Sequence, residues 1–180
     1  MTLELAGVAH GEKVLDVGCG TGTLTILAKA RAGPAGEVHG IDAAPEMIQV
    51  ARRKATKARA EVDFRVALIE DIPFADGQFD LVLSSLMLHH LPDDLKRRGL
   101  AEVYRVLKPG GRFLAVDIGA HSHGHLLTFL FGCGSDRADL GELPDMMRDV
   151  GFVEVEVGRT RFRPLLFARG SARKYTGGSP

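Results

Sequence analysis

Short apolar runs alternate along this chain with longer stretches in which apolar residues recur at helical spacing, and Gly/Pro groups separate the two. The apolar runs predict strands at residues 13–17, 38–41, 62–67, 79–83 and 112–116. A last pair follows at 152–157 and 165–168. The periodic stretches predict helices at 23–31, 45–58, 92–107 and 141–150. Pro45 suits a first helical turn, where its missing N–H is not needed. The group Lys108-Pro109-Gly110-Gly111 is expected to stop the third helix sharply. Strands alternating with helices require crossover connections, so the fold class is α/β: a doubly wound, mostly parallel sheet covered on both faces.

In such open sheets a ligand sits beyond the carboxyl ends of the strands. Asp42, the segment 68–72 and Ser84-Ser85 all follow strand ends and should converge there with the turn LDVGCGTGTL. That turn places Gly18, Gly20 and Gly22 at alternate positions between a strand and a helix. Glycine lets backbone approach a ligand closely. The spacing is G-x-G-x-G. A dinucleotide fingerprint, G-x-G-x-x-G, would need its third glycine at position 23, which is Thr23. Asp16, just before the turn, would repel a pyrophosphate and suit a ligand bearing an ammonium. Asp42 lies twenty residues beyond Gly22, where a carboxylate can accept from two ribose hydroxyls or cap the next helix.

The successive segments VLDVGCGTG, VHGIDAAPEMIQVAR, IPFADGQFDLVLSSLMLHHL and EVYRVLKPGGRF resemble the ordered motifs of the class I S-adenosylmethionine-dependent methyltransferases. Within them they look like the ubiquinone/menaquinone biosynthesis (type 11) branch. The resemblance runs from about Leu5 to Val116. It implies a Rossmann-like seven-stranded sheet whose last strand is antiparallel, with S-adenosylmethionine as cofactor. It also implies roles for residues. Asp16 organises the turn and holds the amino end, directly or through water. Gly18, Cys19, Gly20 and Thr21 meet the methionine portion. Asp42 takes the ribose, with Ala43 and Met47 beside it. Ser84 and Ser85 lie near the amino end. One position departs from the family: an Asp-Ala pair that accepts from the adenine amino group is here Leu68-Ile69, leaving Glu70 or Asp71 as substitute acceptors.

The implied reaction is in-line transfer of a methyl group to a small, apolar or aromatic acceptor. A quinone or other lipophile is one alternative, and a cofactor-binding protein without turnover is another. A base is needed only if the acceptor keeps its proton until attack. His89 and His90, after the fourth strand, are the candidates; packing over the cofactor is their other reading. His121, His123 and His125 alternate, but Gly119 and Gly124 favour a loop over a metal-binding strand, and no metal is expected. LLTFLF, residues 126–131, suits core packing, a pocket wall or a homodimer contact. Arg159, Arg161 and Arg163 read as a solvated strand face.

Totals narrow the field further. In 180 residues, 23 Lys and Arg balance 23 Asp and Glu, so general affinity for nucleic acid is not expected. The basic cluster Arg52, Arg53, Lys54, Lys57 and Arg59 reads as a solvated helix face. Cys19 and Cys133 are expected as free thiols in a reducing compartment. With no signal peptide and no apolar segment near the ~20 residues needed to span a bilayer, a cytoplasmic protein is expected. A single domain is expected over 1–170 and a loose tail over 171–180. Only thirteen residues precede Val14, so cofactor cover is expected from elsewhere, from a partner subunit, or not at all, in a minimal enzyme or a fragment.

Overall fold

The seven apolar runs become strands β1 (Lys13–Val17), β2 (Glu37–Asp42), β3 (Asp63–Val66), β4 (Phe79–Ser85), β5 (Leu107–Ile118), β6 (Phe152–Arg159) and β7 (Leu165–Ala172). A computed structural model describes residues 1–118, 140–162 and 164–173. The strands form one sheet in the order β3-β2-β1-β4-β5-β7-β6. The first five are parallel, with Val17 opposite Ile41 on one side and Ser84 on the other. β7 is antiparallel to both β5 and β6. The expected doubly wound sheet with an antiparallel last strand is therefore the observed one.

Helices α1 (Thr2–Ala6), α2 (Thr23–Ala32), α3 (Pro45–Ala58), α4 (Asp93–Val106) and α5 (Leu143–Val150) flank the sheet. α3 buries Ile48, Ala51 and Ala55, and α4 buries Leu100, Val103 and Val106, each set at the spacing of one helical face. Two apolar layers result, because successive strand residues face opposite ways. Leu15, Val82, Phe113 and Ala115 pack with α4 and α5 residues on one face. Val14, Leu81, Leu83 and Leu114 pack with residues of α1 and α2 on the other.

Three boundaries differ from expectation. The segment Lys108-Pro109-Gly110-Gly111 does not separate helix from strand. α4 ends at Val106 and β5 begins at Leu107, with these four residues forming a bulge where the register to β4 shifts. β7 continues through Ala172, into the expected tail, because β5 and β6 still offer partners there: Arg112 faces Ser171 and Phe152 faces Ala172. The N-terminal helix α1 was not expected. Arg112 ties it down, bonding Ala6 O at 3.0 Å, Gly7 O at 2.7 Å and both carboxylate oxygens of Glu12.

Candidate functional site

The glycine turn stands at the carboxyl end of β1, the centre of the sheet. Gly18, Gly20 and Gly22 have φ of 72°, 52° and 74°, a left-handed run that side chains disfavour. The three differ in surroundings. A β-carbon at Gly22 would come within 2.7 Å of Phe64, and one at Gly18 within 2.4 Å of Met87. One at Gly20 would meet nothing within 4 Å. Gly20 is the open point of the turn.

The N–H groups of this turn are largely committed. Gly18 and Cys19 both donate to Ile41 O at 2.9 Å, and Gly22 donates to Cys19 O at 2.9 Å. Gly20 donates to Asp42 Oδ2 at 2.8 Å, and Ala44 N–H to Asp42 Oδ1 at 2.9 Å. A phosphate cradle needs free N–H groups, so this turn is poorly suited to one. Asp42 bridges the glycine turn and the entry to α3. It does not cap α3 in the sense read from sequence: Ala44 occupies the cap position and makes no side-chain capping bond. Its two oxygens offer about four acceptor sites, of which the described residues use two.

Asp16 lies behind the turn, not in front of it. It is only 1% exposed, and Oδ2 accepts the Thr25 hydroxyl at 2.6 Å. Burial pushes its carboxyl up to about 6, with the Thr25 bond opposing and the Asp42 charge adding to the shift. The side chain thus joins strand β1 to helix α2 beneath the turn. Thr25 was missed in the sequence, although a Thr in the first turn of the helix after a strand-end acid is a readable signal.

Beyond the turn lies a cavity of about 200 Å³ lined by Gly18, Asp42, Ala43, Ile69, Glu70 and Met87, among others. Its walls are mostly apolar. Ile69 is buried and packs on Gly99 of α4, where a β-carbon would come within 2.6 Å. Leu68 is 50% exposed at the rim and forms a β-bridge with Asp71. Of the two candidate replacement acids, Glu70 lines the cavity, and Asp71 is not among its lining residues. Met47 is also absent from the lining. It is 43% exposed, because α3 turns Ile48, Ala51 and Ala55 inward instead.

The end of β4 supplies the polar side. Ser84 is buried and its Oγ has no partner among the described residues, while Ser85 is partly exposed. Leu86 follows with φ 58°, a strained value for a non-glycine residue. A 3₁₀ turn, Leu88–His90, then lays His89 against Asp117 at the end of β5. The His89 and His90 rings are 3.8 Å apart between centroids.

Cys19 turns into the core beside Phe64, Ile48 and Ala51, and burial pushes its thiol up. Thr21 Oγ1 takes a bond from Lys54 Nζ at 2.7 Å, and Thr23 takes another at 3.1 Å. Lys54 therefore is not simply a solvated charge. A larger groove, about 440 Å³, sits near the opposite end of the sheet around Glu4, Arg112, Glu156 and Arg169. Arg112 and Arg169 there are paired with Glu12 and Glu156. His121, His123, His125, the segment 126–131, Cys133 and Arg163 lie outside the described residues. Among the described residues no cluster suits a metal ion, and no helix is long and apolar enough to cross a membrane.

The methyltransferase domain family matches residues 14–111 of the chain. An arsenite methyltransferase of Halobacterium salinarum is 36% identical over 161 residues, covering 84% of this chain and 40% of that protein. A demethylmenaquinone methyltransferase of a Geobacillus species is 32% identical over 182 residues, covering 87% and 77%. The chain thus spans from under half to about three-quarters of these relatives. A methyltransferase structure from Aquifex aeolicus superposes with a TM-score of 0.74 at 23% identity, covering 94% of this chain and 87% of that one. The phosphoethanolamine N-methyltransferase 2 of Haemonchus contortus, in complex with S-adenosyl-L-methionine, gives 0.76 at 19% identity, covering 96% and 51%. These two share the fold. The matched motifs, the sheet order and the glycine turn agree: the chain belongs to the class I S-adenosylmethionine-dependent methyltransferases.

Proposed function

We propose that this chain transfers a methyl group from S-adenosylmethionine to a small, apolar or aromatic acceptor. The observation that carries the reading is the Gly20–Asp42 bond at 2.8 Å beside the open face of Gly20. With Gly18, Cys19 and Gly22 also donating within the protein, most of the turn's N–H groups are committed, which favours a ligand that donates hydrogen bonds over one that presents phosphate.

The residues fit the cofactor. Asp42 keeps acceptor sites for ribose hydroxyls. Ala43, Ile69 and Glu70 border a mostly apolar cavity that suits adenine, and Ser84 Oγ, without a partner among the described residues, lies at the end of β4. Asp16 and Thr25 hold the turn from behind. When bound, the cofactor supplies an electrophilic methyl group on a sulfonium that leaves readily. The protein's own task is then alignment of the acceptor and exclusion of water.

Two acceptor classes come from the relatives' names, arsenite and demethylmenaquinone. The described residues favour the second. Soft arsenic calls for thiolate ligands, and Cys19, the one cysteine among the described residues, is buried with its thiol pushed up.

Calorimetry with S-adenosylhomocysteine and with NADH tests the cofactor reading. Binding of the first and not the second is expected, and the reverse overturns the assignment. Production of S-adenosylhomocysteine across phenols, hydroquinones and arsenite then tests turnover. Binding without turnover on any of them favours a non-catalytic protein.

A further inference from the structure

We propose that Asp117 is a positioning residue that holds His89 as the proton acceptor of the reaction. This rests on the methyl-transfer reading above. A carboxylate at the end of β5 grips one residue twice. Asp117 Oδ2 accepts the His89 backbone N–H at 3.0 Å, and Oδ1 lies 2.5 Å from His89 Nδ1. Oδ1 also accepts the Ile118 N–H at 2.8 Å. The Asp117 side chain is 4% exposed and the His89 side chain 29%.

Each bond has a consequence. The backbone bond fixes the 3₁₀ turn against β5, so the ring cannot swing away with its loop. The ring bond fixes the tautomer. An ionised carboxylate only accepts, so the shared proton sits on Nδ1 and the Nε2 lone pair is left free. Among the described residues Nε2 has no partner; the cavity is lined by Met87 and Leu91, on either side of His89 in sequence, while His89 itself is not among its lining residues. A buried carboxylate behind a half-exposed imidazole is the arrangement of an oriented base. A residue that merely capped the turn would need the backbone bond alone.

The chemistry balances. The acceptor's lone pair forms the new bond to the methyl carbon while the carbon–sulfur bond breaks and its electron pair goes to sulfur. The acceptor's own proton passes to Nε2. The imidazolium so formed sits against the Asp117 carboxylate, with His90 the other titratable ring in contact. The device serves acceptors that surrender a proton, such as a phenol or hydroquinone oxygen. It adds nothing for an acceptor with a bare lone pair.

Two-bond ¹⁵N–¹H spectra of ¹⁵N-histidine-labelled protein, saturated with S-adenosylhomocysteine near neutral pH, test this. The His89 signals are identified by their loss in His89→Gln. In the wild-type protein the ring proton is expected on Nδ1. In Asp117→Ala it is expected to move to Nε2, the form an unconstrained imidazole prefers, with S-adenosylhomocysteine affinity unchanged. A wild-type proton on Nε2 overturns the proposal, whether or not the variant folds. So does a variant that keeps the proton on Nδ1, or one that loses cofactor affinity with no change of tautomer. Failure of the wild-type protein to bind S-adenosylhomocysteine is a separate outcome that overturns the methyltransferase reading, while the ring spectra of the ligand-free protein still report on Asp117.

Discussion

The hydroxyl of Thr25 donates to Asp16 Oδ2 across 2.6 Å, and among the described residues no other hydrogen bond reaches that buried carboxylate. Its carboxyl, raised from 3.8 to about 6, keeps a proton in the folded chain that the unfolded chain has already lost. Folded stability from this group is therefore present at low pH and falls as pH rises from about 4 to 6, by up to about 3 kcal/mol. Asp16→Asn should abolish that fall. Urea unfolding of both proteins at pH values on either side of this window measures it; parallel curves would show that Asp16 does not carry the shift.

His39 runs the opposite way. It lies on β2 with Nδ1 facing Asp63 and Nε2 buried without a partner among the described residues, edge-on to Phe74 and Phe79. Burial lowers its pKa from 6.5, outweighing the Asp63 bond. The folded chain thus resists protonation that the unfolded chain accepts, and stability is lost as pH falls below 6.5. His39→Phe should remove this acid sensitivity, so its stability relative to wild type improves as pH is lowered. Thermal melts across pH 5–7 would show it.

The three turn glycines should fail differently on substitution. Gly20→Ala adds strain of about 1–2 kcal/mol at positive φ, and its methyl group enters space that the protein leaves empty. The fold should survive and S-adenosylhomocysteine affinity should drop sharply. Gly22→Ala carries the same strain plus a clash with Phe64 and Ala51, about 1–3 kcal/mol more, and should chiefly lower the melting temperature. Calorimetry beside thermal melts separates the two; equal affinity in Gly20→Ala would remove the turn from the site.

A variant at His89 tests the reaction itself. General base catalysis contributes about 10²–10⁴-fold, so His89→Gln should lower kcat by that order on a phenolic acceptor while KM for the cofactor holds. An unchanged kcat would assign His89 to packing, the other reading its sequence allowed.

Much of this was legible in the chain because local rules and the fold agree. The strand cores, the Pro45 start of α3 and the glycine turn all follow from apolar period and positive-φ demands that nearby residues set. What escaped depends on distance or rotation. The bulge at Lys108–Gly111 exists because β4 pairs with Leu107 and again with Arg112, which no local pattern reports. The exposure of Met47 is likewise not readable locally, because the rotation of α3 is set by Ile48, Ala51 and Ala55, which take the buried face. Asp117 lies 28 residues from His89, and the expected strand stopped at Val116. The rule that found Asp42, an acid at the carboxyl end of a parallel strand, finds Asp117 once β5 is extended.

Leu68 offers the sharpest test of the slot, because it reverses the departure from the family pattern. The side chain is half exposed at the rim, and its bridge to Asp71 uses backbone, so a carboxylate there disturbs little of the core. If adenine lies in the cavity, Leu68→Asp supplies the missing acceptor for its amino group, and one such bond contributes about 0.5–1.5 kcal/mol. That corresponds to roughly 2- to 10-fold tighter S-adenosylhomocysteine binding. Glu70 borders the same space and its charge opposes the new carboxylate, so the gain should be larger in the Glu70→Gln background. Calorimetry on the single and double variants measures both. Tighter binding in neither background would mean that the adenine ring does not occupy the space between Ala43 and Ile69.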